Sequence, residues 1–201
     1  MKRFERFKRE VLNLPNMITI GRVFLIPPVL YLIDKTDPVK CIYALLIFML
    51  ASILDLVDGV LARRSGLVTV FGKFVDPLAD KIMVSAVLIY LVADGRVPAW
   101  MVVILLTREF YISGLRSLAS NAGVVIAAGA GGKAKTVFQL VGICFLLVHY
   151  PYRMPGSEDY LSFHSVGLLT LGISLIASVV SAVQYTLGFG HALASQRSDG
   201  D

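Results

Sequence analysis

Residues 55–80 read DLVDGVLARRSGLVTVFGKFVDPLAD, and apolar runs of bilayer-crossing length flank them on both sides. Asp55 and Asp58 stand three residues apart, Asp76 and Asp80 four apart, and in a helix either spacing puts both members of a pair on one face. The intervening SGLVTVFG carries turn chemistry. The stretch therefore reads as a helix end, a short turn and a helix start, with antiparallel neighbouring helices and both acid pairs at one depth. A lone Asp at the centre of a membrane helix costs about 2.5–3.5 kcal/mol on insertion scales, and repulsion among four carboxylates adds to that. A cation has to compensate.

Working outward, the 201 residues are 56% hydrophobic and only 16% charged, with a mean hydropathy of +0.74. A soluble domain of this size would be about a quarter charged. The expected fold class is all-α: a polytopic membrane protein with six transmembrane helices near 15–34, 39–62, 74–93, 97–120, 133–150 and 163–187. Turn chemistry at DKTDP, DGRVP, NAGVVIAAGAGG and PYRMPGSED separates them. Ahead of them, MKRFERFKREVLNL sets Phe4, Phe7, Val11 and Leu14 on one face among basic residues, the pattern of an N-terminal interfacial amphipathic helix. The alternative there is a disordered basic tail, and no cleavable signal pattern is visible. The expected organisation is thus the interfacial helix at 1–13, a membrane domain at 14–190 and a disordered cytoplasmic tail at 191–201.

Orientation follows from the 19 Lys and Arg. With the N-terminus inside, Lys2, Arg3, Arg6, Lys8, Arg9, Arg63, Arg64, Lys73, Arg116, Lys133, Lys135 and Arg197 fall on the cytoplasmic side. Lys35, Lys40, Arg96 and Arg153 fall opposite, and Arg22, Lys81 and Arg108 lie within helices. The asymmetry puts both termini in the cytoplasm. It accounts for the net charge of +5 through topology and anionic lipid, so no nucleic acid is implied. Cys41 and Cys144 lie in apolar runs and read as buried thiols without a disulfide framework.

What compensates the four acids? Lys73 or Lys81 could pair with one or two of them. Four carboxylates with no His or Cys nearby better suit a hard, oxygen-preferring cation, Mg²⁺ or Mn²⁺, and four shared ligands can hold two ions. Small residues stand beside them: Gly59 next to Asp58, Ala62 one turn on, and Gly72 one turn before Asp76. Such positions let a bulky ligand approach the backbone. Arg63 adds a planar donor suited to phosphate. A diphosphate is the simplest occupant.

The pattern Asp55-x2-Asp58-Gly59-x2-Ala62-Arg63-x8-Gly72-x3-Asp76-x3-Asp80 resembles the full signature of the CDP-alcohol phosphotransferases. The resemblance implies that Asp55, Asp58 and Asp76 ligate metal. Asp80 would ligate metal and also deprotonate the acceptor hydroxyl. It implies that Gly59, Arg63 and Thr69 contact the CDP moiety, with Ala62 and Gly72 leaving room for it. Asn16 and Thr19, at the entrance of the first helix, would help hold the nucleotide. Capping and boundary polarity are their alternative roles. One departure is visible: Leu54 stands where relatives often carry Thr or Ser.

The second half bears on the acceptor. Arg108 and Arg116 are eight residues apart, on roughly one helical face, and GGKAKTVFQ opens the fifth helix with Lys133 and Lys135. Glu109 either pairs with Arg108 or points elsewhere. Positive-inside anchoring explains Lys133 equally well. Arg108, Arg116, Lys133 and Lys135 together suit an acceptor that carries its own phosphate. The segments 13–27, 72–84, 107–119 and 131–139 resemble those of bacterial family members that use glycerol 3-phosphate. The reaction so implied is CDP-diacylglycerol plus glycerol 3-phosphate giving phosphatidylglycerophosphate and CMP, on the cytoplasmic face of a bacterial inner membrane, by a homodimer. Inositol phosphate and phosphatidylglycerol are the alternative acceptors. From other classes, a divalent-cation transporter also uses intramembrane acids but does not require Gly59, Ala62 and Arg63 at these gaps. An intramembrane prenyltransferase binds diphosphate through Asp and Mg²⁺ but patterns its Asp-rich motifs differently, on separated helices. The three histidines and most tyrosines read as interfacial.

Overall fold

Two prolines break the first apolar run. Helix α1 (Leu14–Phe24) and helix α2 (Ile26–Leu32) meet at Leu25, and Pro27 and Pro28 open α2. Proline has no N–H to continue the ladder of the preceding turn, so one expected helix becomes two. The computed structural model describes residues 14–34, 36–65, 70–121, 131–153 and 160–198, with side chains described at 17–34, 36–54, 78–79, 81–120, 135–153 and 160–192. The expected interfacial helix at 1–13 lies outside the described residues, as does Thr69.

The remaining helices follow the apolar runs: α3 (Pro38–Ser65), α4 (Val70–Ala93), α5 (Ala99–Asn121), α6 (Gly131–Val148) and α7 (Phe163–Ser198). Their ends carry the chemistry the sequence announces. Asp37 caps α3, its Oδ1 accepting from the amides of Val39 at 2.9 Å and Lys40 at 3.2 Å, with Pro38 in the first turn. Just ahead of it, the Thr36 hydroxyl and amide and then Lys40 hold the Asp34 carboxyl well below the usual carboxylate range. Helix α4 closes on Gly95 at φ 71°, where the Arg96 amide reaches back to the Leu91 carbonyl at 2.8 Å. The Ser165 amide donates to Ser162 Oγ at the start of α7.

Two expectations change. PYRMPGSED was expected to be only a connection in an all-α chain. Instead β1 (Pro151–Arg153) and β2 (Tyr160–Ser162) pair antiparallel, with Tyr152 opposite Leu161. Short tyrosine-bearing segments on either side of a turn-rich stretch favour such a hairpin. The tail from residue 191 was expected to be disordered, yet α7 continues to Ser198. Ala, Leu, Gln and Arg there favour helix, and the first glycine comes only at Gly200.

The chain forms two compact units, Met1–Arg96 with Leu147–Tyr150, and Val97–Leu146 with Pro151–Asp201. In the first, α1 packs against both α3 and α4, and so does α2. Its core is built from stripes of helical period: Thr19, Arg22, Ile26, Val29 and Ile33 on α1–α2; Cys41, Ala44, Phe48 and Ala51 on α3; Met83, Val87 and Leu91 on α4. Arg96 is its largest fully buried side chain among the described residues. It bonds Asp94 through Nε at 2.5 Å, the Leu147 carbonyl through NH1 at 2.9 Å and Cys41 Sγ through NH2 at 3.3 Å.

In the second unit α5 packs on α7, and α6 meets α7 where Gly142 and Gly167 abut. Large apolar side chains face outward on several helices, among them Trp100, Val103 and Phe110 on α5 and Leu169, Ile176 and Leu187 on α7. Among the described residues one stretch, Phe163–Ala192, is long and apolar enough to cross a bilayer, with a mean hydropathy of 2.3. Met17–Leu32, Pro38–Leu54, Lys81–Ala93 and Lys135–Val148 are shorter apolar stretches.

Candidate functional site

The acid-bearing helices belong to the first unit. Counting on from the buried residues of α3, steps of four, three and four from Ala51 reach Asp55, Asp58 and Ala62. These three therefore hold the register set by Cys41, Ala44, Phe48 and Ala51. Counting back along α4 from Leu91, Val87 and Met83, the same period reaches Asp80 and Asp76. At 1.5 Å per residue, Asp58 lies about 10 Å from the end of α3 and Asp76 about 9 Å from the start of α4. Gly59 and Arg63 fall within the last two turns of α3, and Gly72 within the first turn of α4. The side chains of the four acids, Arg63 and Asn16 are not among those described; Asn16 is the third residue of α1.

Helix α1 packs on both α3 and α4, and its buried face is polar at Thr19 and Arg22, which are 0% and 3% exposed. Thr19 was expected at the nucleotide end of the site, and the fold puts it on the face turned to the acid-bearing helices. Arg22 was counted only as a charge within a helix. Its spacing of three from Thr19 was the available signal: a permanent cation on the buried stripe of an apolar helix is costly unless it meets anions.

The basic residues belong to the second unit, where α5, α6 and α7 build an ion cluster. Arg108 is buried, and its three nitrogens are all engaged. Nε donates to the Ser178 carbonyl at 2.9 Å, NH2 to Ser181 Oγ at 3.2 Å and NH1 to Glu109 Oε2 at 3.4 Å. The same Glu109 oxygen accepts from the ammonium of Lys135, also buried. Ser174 Oγ donates to the Lys135 carbonyl at 2.7 Å, fixing the start of α6 against α7. One carboxylate thus joins two of the predicted acceptor residues.

Arg116 is not part of this cluster. Eight residues advance the helix by two turns plus about 80°, which carries Arg116 from the buried face of Arg108 to an exposed flank. Its guanidinium carbon lies 6.0 Å from the Tyr185 ring centroid. Lys133 stands two residues before Lys135 in the first turn of α6. Along α7 an open groove of about 440 Å³ is lined by Ile173, Ile176, Ala177, Val180, Ser181 and Gln184. Its Ser181 is the hydroxyl that Arg108 bonds. Glu109 is the residue that sequence reading left open, since adjacency to Arg108 did not reveal the bond to Lys135, 26 positions away.

Paired acids stand in helical register on two apolar helices that both pack against α1, and buried cations stand on α5 and α6; ionisable groups on apolar helices mark a functional site. The family model for CDP-alcohol phosphatidyltransferase matches residues 12–185, and the chain belongs to that family. It is 40% identical over 186 residues to the CDP-diacylglycerol–glycerol-3-phosphate 3-phosphatidyltransferase of Bacillus subtilis, covering 86% of this chain and 93% of that one. A probable phosphatidylglycerophosphate synthase of Mycobacterium tuberculosis is 33% identical over 181 residues, covering 89% and 82%. The fold is shared with the crystal structure of M. tuberculosis phosphatidylinositol phosphate synthase in apo form. The TM-score is 0.60 at 19% identity, over 91% of this chain and 92% of that one.

Proposed function

We propose that the protein transfers the phosphatidyl group of CDP-diacylglycerol to glycerol 3-phosphate, giving phosphatidylglycerophosphate and CMP in phospholipid biosynthesis. The observation that carries this reading is the 40% identity, across most of both chains, to a relative named for that reaction. The buried Arg108–Glu109–Lys135 cluster supports it, since an acceptor with its own phosphate needs cations and a choline or ethanolamine acceptor does not.

In this reading six membrane crossings hold the site toward the cytoplasm of a bacterial inner membrane, both termini are cytoplasmic, and the enzyme is a homodimer. The outward-facing apolar side chains of α5 and α7 are suited to lipid or to a second copy. Asp55, Asp58, Asp76 and Asp80 would hold two Mg²⁺ or Mn²⁺ ions. An all-carboxylate donor set in helical register fits a hard divalent cation. Bound there, the ions would neutralise the diphosphate and favour CMP as leaving group.

The chain's own residues do the rest. Arg63 donates to the diphosphate, and Asn16, Thr19, Gly59, Ala62, Thr69 and Gly72 shape the nucleotide end. Arg108 and Lys135 hold the acceptor's phosphate, with Lys133 two residues ahead of Lys135 on the same helix. The Asp80 carboxylate takes the proton of the acceptor hydroxyl as its oxygen bonds to the lipid-side phosphorus and the bond to CMP breaks. The test offers purified protein CDP-diacylglycerol with radiolabelled glycerol 3-phosphate, inositol phosphate or phosphatidylglycerol in separate reactions. Labelled phosphatidylglycerophosphate with equimolar CMP is expected from the first alone. Product from either of the others instead would reassign the acceptor, and no CMP with any would sink the enzyme reading.

A further inference from the structure

We propose that Glu109 is the positioning residue of the acceptor pocket: its carboxylate holds the Lys135 ammonium, and one arm of Arg108, where an acceptor phosphate can meet them. The inference rests on the acceptor reading above. It comes from three observations in the second unit. First, one oxygen of Glu109 meets cations from α5 and from α6, so a single carboxylate sets the spacing of two donors brought by different helices. Second, the burial is uneven: the Arg108 and Lys135 side chains are each 9% exposed and Glu109 is 33% exposed. Two buried cations without a countercharge would be strongly destabilised, and Glu109 offsets that while the pocket holds no acceptor.

Third, the two cations differ in stiffness. Arg108 is fixed independently by Ser178 and Ser181. A guanidinium has five N–H donors, and its three bonds leave two for a ligand. Lys135 ends in a rotatable ammonium on a four-carbon stem that carries about 2 kcal/mol of rotamer entropy. Holding that stem in advance removes an ordering cost from acceptor binding. Glu109 therefore acts on the acceptor through Lys135.

The experiment measures steady-state kinetics of wild type, Glu109→Gln, Glu109→Asp, Lys135→Met and the Glu109→Gln/Lys135→Met double variant, with glycerol 3-phosphate binding by calorimetry in parallel. Glu109→Gln is expected to raise the KM and Kd for glycerol 3-phosphate about tenfold, the loss of one oriented charge–phosphate contact. The KM for CDP-diacylglycerol should stay within twofold. Glu109→Asp keeps the charge balance that folding needs but withdraws the carboxylate by one methylene, and should shift the acceptor constant in the same direction by less. On the Lys135→Met background, Glu109→Gln should add little.

A fall in acceptor KM would overturn the proposal, because the carboxylate would then be a competitor of the phosphate. Equal rises for both substrates, or additive effects in the double variant, would also overturn it. If wild type turns over another phosphorylated alcohol and not glycerol 3-phosphate, the acceptor reading fails. The same comparison with that alcohol then still decides the role of Glu109.

Discussion

Gly167 on α7 presses against Gly142 on α6, backbone to backbone. A Cβ placed at Gly167 would lie 2.7 Å from Leu146 Cγ, 3.0 Å from the Leu146 nitrogen and 3.1 Å from the Gly142 carbonyl oxygen. At Gly142 the corresponding atom would stand 3.1 Å from the Leu171 nitrogen and 3.2 Å from the Gly167 oxygen. Small residues that let helix backbones approach are a main source of packing between apolar helices, because lipid is as apolar as Leu. This contact carries the α6–α7 pairing on which Lys135 and Ser174 depend.

Gly167→Val should therefore destabilise the protein by about 1–3 kcal/mol, the usual cost of overpacking a tight contact. Thermal unfolding in detergent measures it. Gly172→Ala, on the same helix with nothing within 4 Å of a new Cβ, is the matched control and should lose no stability. Equal melting points for the two variants would mean that α6 and α7 do not meet at these glycines.

Arg96 and Leu147 make a second long-range tie, in the first unit, and Asp94 and Cys41 complete it. Removing one partner of a buried ion pair costs about 3–5 kcal/mol, because the other charge stays buried. Arg96→Ala should show that loss in denaturant or thermal unfolding. Arg96→Lys should recover only part of it, since an ammonium cannot reach Asp94, the Leu147 carbonyl and Cys41 together. Full stability of the lysine variant would mean that charge alone, and not the planar fork, holds these loops.

Much of this was legible in the sequence, and the reasons are physical. Helical period and turn residues put α3 to α7 within a few residues of their observed ends, except at the tail, where good helix formers prolong α7 to Ser198. The signature from Asp55 to Asp80 led to the family whose model matches residues 12–185. What period alone misses is pairing at long range. Arg96 reads as a loop charge, and only the fold shows it as the largest fully buried side chain described. Arg108 and Arg116 read as one face, but two turns and about 80° separate them around the helix. Pro27 and Pro28 were visible, and the break at Leu25 follows from their missing N–H groups.

Thr19 and Arg22 share the buried face of α1, the helix that packs on both acid-bearing helices. Arg22→Ala should remove a buried cation from the face of α1 that packs on the acid-bearing helices, lowering turnover and stability together. Arg22→Lys should keep stability nearer wild type while lowering turnover if the planar guanidinium is what matters. Turnover and melting point measured on the same preparations separate the two. Unchanged turnover in both variants would confine Arg22 to packing.

The last prediction concerns the metal and the base together. If the four acids hold divalent cations, chelation with EDTA should abolish CMP release, and added Mg²⁺ or Mn²⁺ should restore it. Asp55→Ala, Asp58→Ala and Asp76→Ala should each lose activity that excess metal recovers only in part. Asp80→Asn is expected to differ in kind. Amide oxygen can still approach a cation but cannot take a proton at neutral pH, so kcat should fall by about 10²–10⁴, the usual contribution of a general base. CDP-diacylglycerol binding should change far less. Near-normal turnover of Asp80→Asn at saturating metal would remove Asp80 from the base role and leave it a ligand, and the proton would then have to leave through another group.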